Sequence, residues 1–377
     1  MKHHKIHIVS FAIPYPPDYG GVIDVFYKIK ALWENKVEIY LHCFEYEQTK
    51  NNELLNFCKE VYYYPRKKYF WDFFSHKPFI VQSRKSKALF KNLLKDNYPV
   101  LLEGIHTTYY LPKLLEKKDR VILRTHNIEY KYYRALAKSE KNFFHWAYYF
   151  IESMKLKYYE QKMVKNVLLT AISPSDYQYF KTINPNSFYI PAFHSNNHVF
   201  AKYGKGKYIL FHGNLSVNEN MHAAEYILKN ICPKLDYSFI LAGKNPPQKL
   251  INKVKKQKNV QLIINPSQEK MKELIINAHI HLLITFQDTG IKLKLINALF
   301  GGRFAITNHI MINNTYLESL VYSAETPNEF VSLITQLMAQ SFSTNLLNKR
   351  EQLLLKNVNN NLNAQKLITL FNQNLIL

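Results

Sequence analysis

Short apolar runs alternate with longer helix-period segments along this 377-residue chain, and the alternation starts afresh after residue 200. A parallel strand covered on both faces reads as a continuous apolar run. Its next parallel neighbour must be reached through a crossover, usually a helix. The repeated strand-then-helix order therefore predicts an α/β protein built on parallel sheets. In the first half the strands fall at Lys5–Phe11, Val37–Cys43, Val61–Tyr64, Val100–Gly104, Arg120–Arg124 and Leu168–Ile172. Helices are expected around Val22–Trp33, Gln82–Lys95 and Tyr109–Leu115, with one long helix or a bent pair over Tyr130–Val164. In the second half, strands are expected at Lys207–His212, Tyr237–Ala242, Val260–Ile264, Ile280–Thr285 and Phe304–Thr307, again with helices between them.

Length supports two domains, because single cores stop growing at about 250–300 residues. The stretch between the two runs carries Pro185, Pro191, Gly204 and Gly206. It sets the expected division: a first domain over 1–190, a linker over 191–206 and a second domain over 207–377, its last helix a candidate to cross back.

At 47% hydrophobic and 21% charged residues, the composition is that of a globular chain. The net charge of +22 suits nucleic acid, an anionic membrane surface or a polyanionic substrate. The lysines are dispersed, however, and no nucleic-acid reading motif is present, so nucleic acid is not an expected partner. Basic and aromatic residues interleave in Arg66–Phe74 and across Lys141–Lys165, which makes an anionic membrane surface a candidate partner. Cys43, Cys58 and Cys232 lack metal-type spacing, and neither a metal nor a cofactor is expected. The basic N-terminus has too short an apolar run for a signal peptide, and no run reaches 18 apolar residues. The expected location is the cytoplasm, including the inner face of the membrane.

Ligands of doubly wound folds bind beyond the carboxyl ends of the strands, so the strand-end loops hold the candidate chemistry. The first loop leads through Asp18-Tyr19 to Gly20-Gly21 and opens a helix, whose N-terminus offers N–H groups to an anion. His126 follows the strand ending at Arg124 and can meet a phosphate or a sugar hydroxyl. Gly213-Asn214 and Gly243 follow strands of the second half and permit close backbone approach to a ligand. The stretch Asp288-Thr289-Gly290-Ile291-Lys292-Leu293-Lys294 runs into a helix carrying Asn297. Two lysines with a helix N-terminus make an anion site, and a diphosphate suits it best.

Together these stretches resemble the GT-B glycosyltransferases of family four: the Pro-Pro-x-x-Gly-Gly loop, the strand-end His126-Asn127 and the Gly-x-x-x-Lys-x-x-x-Ala-Leu helix. The resemblance implies two Rossmann-like doubly wound domains facing a central cleft, with sugar transfer from a nucleotide-diphosphate sugar. The acceptor would be a glycan, lipid-linked or protein-linked, and transfer would be retaining and metal-independent. By the same resemblance, Gly20 and Gly21 lie against the donor phosphates or the acceptor, and His126 meets the transferred sugar or its phosphate. Gly213, Asn214 and Gly243 line the donor, while Gly290, Ile291, Lys292 and Lys294 serve its diphosphate and sugar. The chain departs from the family where Glu-x7-Glu is usual: Thr289 and Asn297 stand there. The Gly213 loop also lacks its usual Arg and Lys. A non-catalytic nucleotide-sugar or glycan-binding protein with an eroded site is the alternative that these departures support.

Overall fold

A computed structural model describes residues 4–46, 49–287, 292–313 and 315–372. The chain divides into two compact units, one formed by Met1–Ser195 with Val358–Leu377, the other by Asn196–Asp288 with Lys292–Asn357. Each is built on a parallel sheet. The first sheet contains β1 (Lys5–Ser10), β2 (Glu38–Glu45), β3 (Glu60–Pro65), β4 (Val100–Glu103), β5 (Val121–Thr125), β6 (Leu168–Ala171) and β7 (Ser187–Tyr189). Its order is β3-β2-β1-β4-β5-β6-β7. The second contains β8 (Ile209–Asn214), β9 (Phe239–Lys244), β10 (Val260–Ile264), β11 (Ile280–Leu283), β12 (Phe304–Thr307) and β13 (Tyr322–Ser323), ordered β10-β9-β8-β11-β12-β13.

The period of two along a strand explains the core of the first unit. Ile6, Ile8, Leu101 and Ile122 pack on one face of the sheet with the Gly20–Glu34 helix. Val9, Val100, Leu102, Val121 and Leu123 pack on the other with the Phe143–Val164 helix. Both faces are covered, so the strands carry no polar face, as their sequences indicate.

Strand order also fixes where ligands can approach. Order reverses between β1 and β4 in the first sheet and between β8 and β11 in the second. Neighbouring loops leave in opposite directions at such a point and open a crevice beyond the carboxyl ends.

Two expectations change. The helix expected over Gln82–Lys95 is two short helices, Phe79–Gln82 and Lys87–Leu93. Ser86 ends the continuity because its hydroxyl accepts from the Leu89 N–H and starts a new helix. The Tyr130–Val164 segment takes the second of its two expected forms, a pair of helices, Glu129–Ser139 and Phe143–Val164, with the Asn142 side chain capping the second. The edge strands β7 and β13, of three and two residues, are too short to show a period in sequence.

The C-terminal Asn360–Phe371 helix packs in the first unit, where Ala364, Leu367 and Phe371 join the core around the Gly20–Glu34 helix. His194 fastens it. Its Nε2 donates to the Val358 carbonyl at 2.8 Å, and Asn360 exchanges hydrogen bonds with its backbone. Burial lowers the His194 pKa to about 4. Burial, assisted by Lys294, lowers that of His212 to about 4, and burial takes His281 to about 3.

These histidines fold neutral. An imidazole with a depressed folded pKa contributes stability that is present above its unfolded value near 6.5. That stability is lost as pH falls toward 4, at most about 3 kcal/mol each. Glu129, raised to about 7 by burial, acts in the opposite direction but is outnumbered. The thermal midpoint is therefore expected to drop between pH 6.5 and pH 4, with a shallower drop in His212→Gln. Calorimetry across that window checks it; a midpoint flat or rising on acidification contradicts it.

Candidate functional site

At the switch point of the first sheet, five ionisable side chains meet. The Gly20–Glu34 helix supplies Asp24 and Lys28, four residues apart on one face; β4 supplies Glu103, β5 Arg124, and the loop after it His126. Asp24, Lys28, Glu103 and Arg124 are wholly buried, and His126 is 6% exposed. Arg124 grips Asp24 through two parallel hydrogen bonds, Nε at 3.0 Å and Nη2 at 2.8 Å. The guanidinium also donates to the carbonyls of Ile190 and Pro191. Lys28 Nζ donates to Asp24 at 2.9 Å and to both Glu103 oxygens at 2.7 and 2.8 Å. The Phe193 N–H donates to Asp24 at 2.8 Å.

Two carboxylates face two fixed cations, so the charges cancel without water. Burial alone would raise Asp24, but Arg124 and Lys28 outweigh it and hold the carboxyl far below its usual range. Burial opposes Glu103 too, and Lys28 with His126 brings it below its usual value. Asp24, Glu103 and His126 come close enough together to suggest a metal-binding trio. The ammonium of Lys28 already bridges the two carboxylates where a cation would sit, so the donor set does not fit a metal.

His126 Nε2 lies 2.9 Å from Glu103 Oε2. An ionised carboxylate only accepts, so this nitrogen carries a hydrogen, and in the neutral tautomer that leaves Nδ1 as the acceptor. Nδ1 is buried without a partner. As an acceptor Nδ1 suits a sugar hydroxyl, and as a donor in the doubly protonated ring it suits a phosphate. Phe11 packs edge-on against His126 at 5.4 Å between centroids. A Cβ on Gly21 would come within 2.7 Å of the Phe11 ring, while Gly20 faces open space within 4 Å. No side chain caps the helix that begins at Gly20, which leaves its first N–H groups available.

The second unit gathers its candidates at its own switch point. Gly213 and Asn214 end β8, and a Cβ on Gly213 would come within 3.0 Å of the Asn220 side chain. Asn220 Nδ2 donates to the Asn214 carbonyl at 3.0 Å, and its Oδ1 accepts from Lys294 Nζ at 2.9 Å. The glycine, the loop and the lysine are thus one connected set. Burial, opposed by Glu219 and assisted by Lys292, pushes Lys294 down to about 8. Thr285 Oγ1 donates to Glu219, joining the end of β11 to the helix that starts at Asn218.

Lys292 precedes the Leu293–Gly301 helix, at its N-cap, and donates to the Gln287 carbonyl at 3.0 Å. Among the described residues no side chain caps that helix. Asn297 Oδ1 accepts from Asn196 Nδ2 at 2.9 Å. Thr289, Gly290 and Ile291 lie outside the described residues. Gly243 has a packing reason that sequence did not reveal: a Cβ there would sit 1.9 Å from the Gly213 carbonyl oxygen.

The structure therefore brings together Gly20, Gly21 and His126 in one unit, and Gly213, Asn214 and Lys294 in the other. Asp24, Lys28, Glu103, Glu219 and Thr285 were not read as site residues. Their signal was present as charges inside apolar runs, in Val22-Ile23-Asp24-Val25 and Val100-Leu101-Leu102-Glu103.

Two seven- and six-stranded parallel sheets of this order match solved glycosyltransferases along their whole lengths. TarM superposes with a TM-score of 0.65 at 12% identity, covering 98% of this chain and 99% of that one. A glycosyltransferase from Rickettsia africae gives 0.65 at 14%, covering 98% of both. WaaG, described as a glycosyltransferase involved in lipopolysaccharide biosynthesis, gives 0.62 at 10%, covering 97% and 99%. The fold is GT-B. No family model matches the sequence. An uncharacterized 44.6 kDa protein in the cps region of Klebsiella pneumoniae is 26% identical over 331 residues, 81% of this chain and 83% of that protein.

In this GT-B chain the buried ion network should fail when its hub is neutralised. Asp24→Asn leaves Arg124 and Lys28 under-compensated in a dry site, and about 3–5 kcal/mol of the first unit's stability should be lost. Urea unfolding followed by circular dichroism measures this. A loss below about 1 kcal/mol would show that the network does not hold the unit together.

Proposed function

We propose that the protein is a glycosyltransferase that moves a sugar from a nucleotide-diphosphate sugar to a glycan, lipid-linked or protein-linked acceptor in cell-envelope glycan assembly. It would work in the cytoplasm, at or near the membrane surface. The observation that carries the proposal is the second switch point. There the uncapped Leu293–Gly301 helix, Lys292 and Lys294 gather positive potential beside a glycine loop, and among the described residues no acidic metal-binding cluster accompanies them. The relative from a cps region and the neighbour involved in lipopolysaccharide biosynthesis support the envelope setting.

In the proposed reaction the bond from the anomeric carbon to the diphosphate oxygen breaks and a bond to the acceptor oxygen forms on the same face. The departing diphosphate oxygen takes the acceptor's proton, so no protein base is required. Lys292, Lys294 and oriented backbone dipoles stabilise the leaving group. His126 Nδ1 accepts from a sugar hydroxyl while Glu103 keeps the ring in that tautomer.

A non-catalytic nucleotide-sugar-binding protein is the second reading, favoured by Asn297. Its carbonyl oxygen is engaged by Asn196, leaving the amide N–H groups where the family's Glu would accept from ribose. Nucleoside diphosphate release from a panel of donors, with and without lipid or glycan acceptors, separates the two. Acceptor-dependent release supports transfer, and binding without release from any donor supports the second reading.

Lys292→Ala should weaken donor binding by about 1–3 kcal/mol, the value of a charge-assisted contact. Calorimetric titration checks this, and unchanged affinity in a folded variant removes Lys292 from the site.

His126→Ala should lower turnover by roughly tenfold or more, the equivalent of about 1.4 kcal/mol, and by far more than it lowers thermal stability. A variant that melts early yet keeps its specific activity would reduce His126 to a structural member of the network.

A further inference from the structure

The exposed large apolar side chains of the first unit concentrate on two neighbouring segments. One is the single helical turn Phe70–Phe74, the other the outer face of the Phe143–Val164 helix. Trp71 is 78% exposed and Phe74 71%, while Phe144 is 80% and Tyr158 73% exposed.

This display is built, not loose. Phe73 stacks on Phe79 at 4.5 Å, nearly parallel, and meets Tyr148 at 5.6 Å. Lys155 Nζ donates to the Phe73 carbonyl at 2.6 Å and to Glu152 at 2.9 Å. The turn is thus pinned to the helix by one inward aromatic while its neighbours point away from the core.

The helix itself runs about 33 Å. Its buried side carries Glu152, Leu156, Glu160 and Met163. On the opposite side, Phe143, Phe144, Ile151, Met154 and Tyr158 recur at helical spacing and are exposed. A solvent-facing stripe normally bears charges, so this one is suited to an apolar environment.

Between the turn and the helix lies an open groove of about 900 Å³, lined mainly by Phe74, Tyr109, Ile151, Met154, Tyr158 and Met163. Lys77 and Lys162 also line it, Lys77 with its ammonium 3.7 Å from the Tyr109 ring centroid. Lys67, Lys68, Lys141 and Lys157 are exposed on the same two segments or beside them. The acids of these segments that are neither buried nor ion-paired with a lysine, Asp72 and Glu140, are outnumbered by these six lysines. Aromatic side chains prefer the headgroup layer and lysines the anionic lipid surface, so the two chemistries share one partner.

We propose that this face of the first unit docks on an anionic phospholipid bilayer, with a lipid hydrocarbon chain entering the groove and Lys77 and Lys162 meeting its phosphate. Docking needs neither donor nor acceptor. Its failure would leave the transferase reading intact, and the reverse also holds.

The test uses the full chain carrying Trp33→Phe, which leaves Trp71 on the turn and Trp146, stacked on Phe143 of the helix, as the fluorescent reporters. Vesicles of phosphatidylcholine alone are compared with vesicles containing phosphatidylglycerol with brominated acyl chains. The expected result is co-sedimentation with the anionic vesicles only, weakening with salt, and quenching of tryptophan emission by bromine. Phe74→Ser combined with Phe144→Ser should weaken vesicle binding at least tenfold with an unchanged melting temperature, and Met154→Glu in the groove should do the same. Equal recovery in the supernatant with both vesicle types at low salt overturns the proposal. So does binding without quenching, or binding indifferent to both sets of substitutions, since either result would mean simple charge attraction elsewhere.

Discussion

The carboxylate of Asp24 is the point on which the first unit depends. It joins a helix to β5 through Arg124 and, by way of Lys28, to β4, and it receives the backbone of Phe193. Nothing apolar could make those connections. A buried ion pair is seldom worth more than well-packed hydrocarbon, but breaking one is expensive, so the network fixes geometry more than it adds stability. That geometry includes the tautomer of His126, which Glu103 holds through Nε2. The same charges that fix the sheet's switch point therefore set the hydrogen-bonding character of the ring presented there.

The second unit reaches a similar end with fewer charges. Gly213 lets Asn220 close in, Asn220 holds Lys294, and burial lowers that ammonium to about 8. A lysine held in this way, beside an uncapped helix, has little of its charge spent on a carboxylate. An anion arriving there would complete a site already oriented for it. The charge that matters is thus local, and the chain's +22 is mostly surface.

Much of this was legible in sequence because the fold is written in period. Strands buried on both faces are continuous apolar runs, and Phe304–Thr307 can be read directly from one. The break at Ser86 was not legible, since it falls in the polar run Gln82–Lys87, where there is no apolar period to interrupt and only the cap distinguishes two helices from one. The role of Asp24 was hidden for another reason. Lys28 is only four positions away, but Arg124 and the Phe193 N–H lie 100 and 169 positions along the chain, so most of the compensation exists only in three dimensions. A charge inside an apolar run was the available sign. Gly243 shows the converse: a strand-end glycine that looked like a ligand contact has a packing explanation in the carbonyl of Gly213.

The central claim is that the second unit's switch point receives the diphosphate of a nucleotide sugar. A crystal structure with the nucleoside diphosphate that most raises the melting temperature tests it most directly. The account predicts phosphate density beside the Gly213 loop, within hydrogen-bonding distance of Lys292 or Lys294 and the start of the Leu293–Gly301 helix. Density for the phosphates anywhere else on the molecule would contradict it.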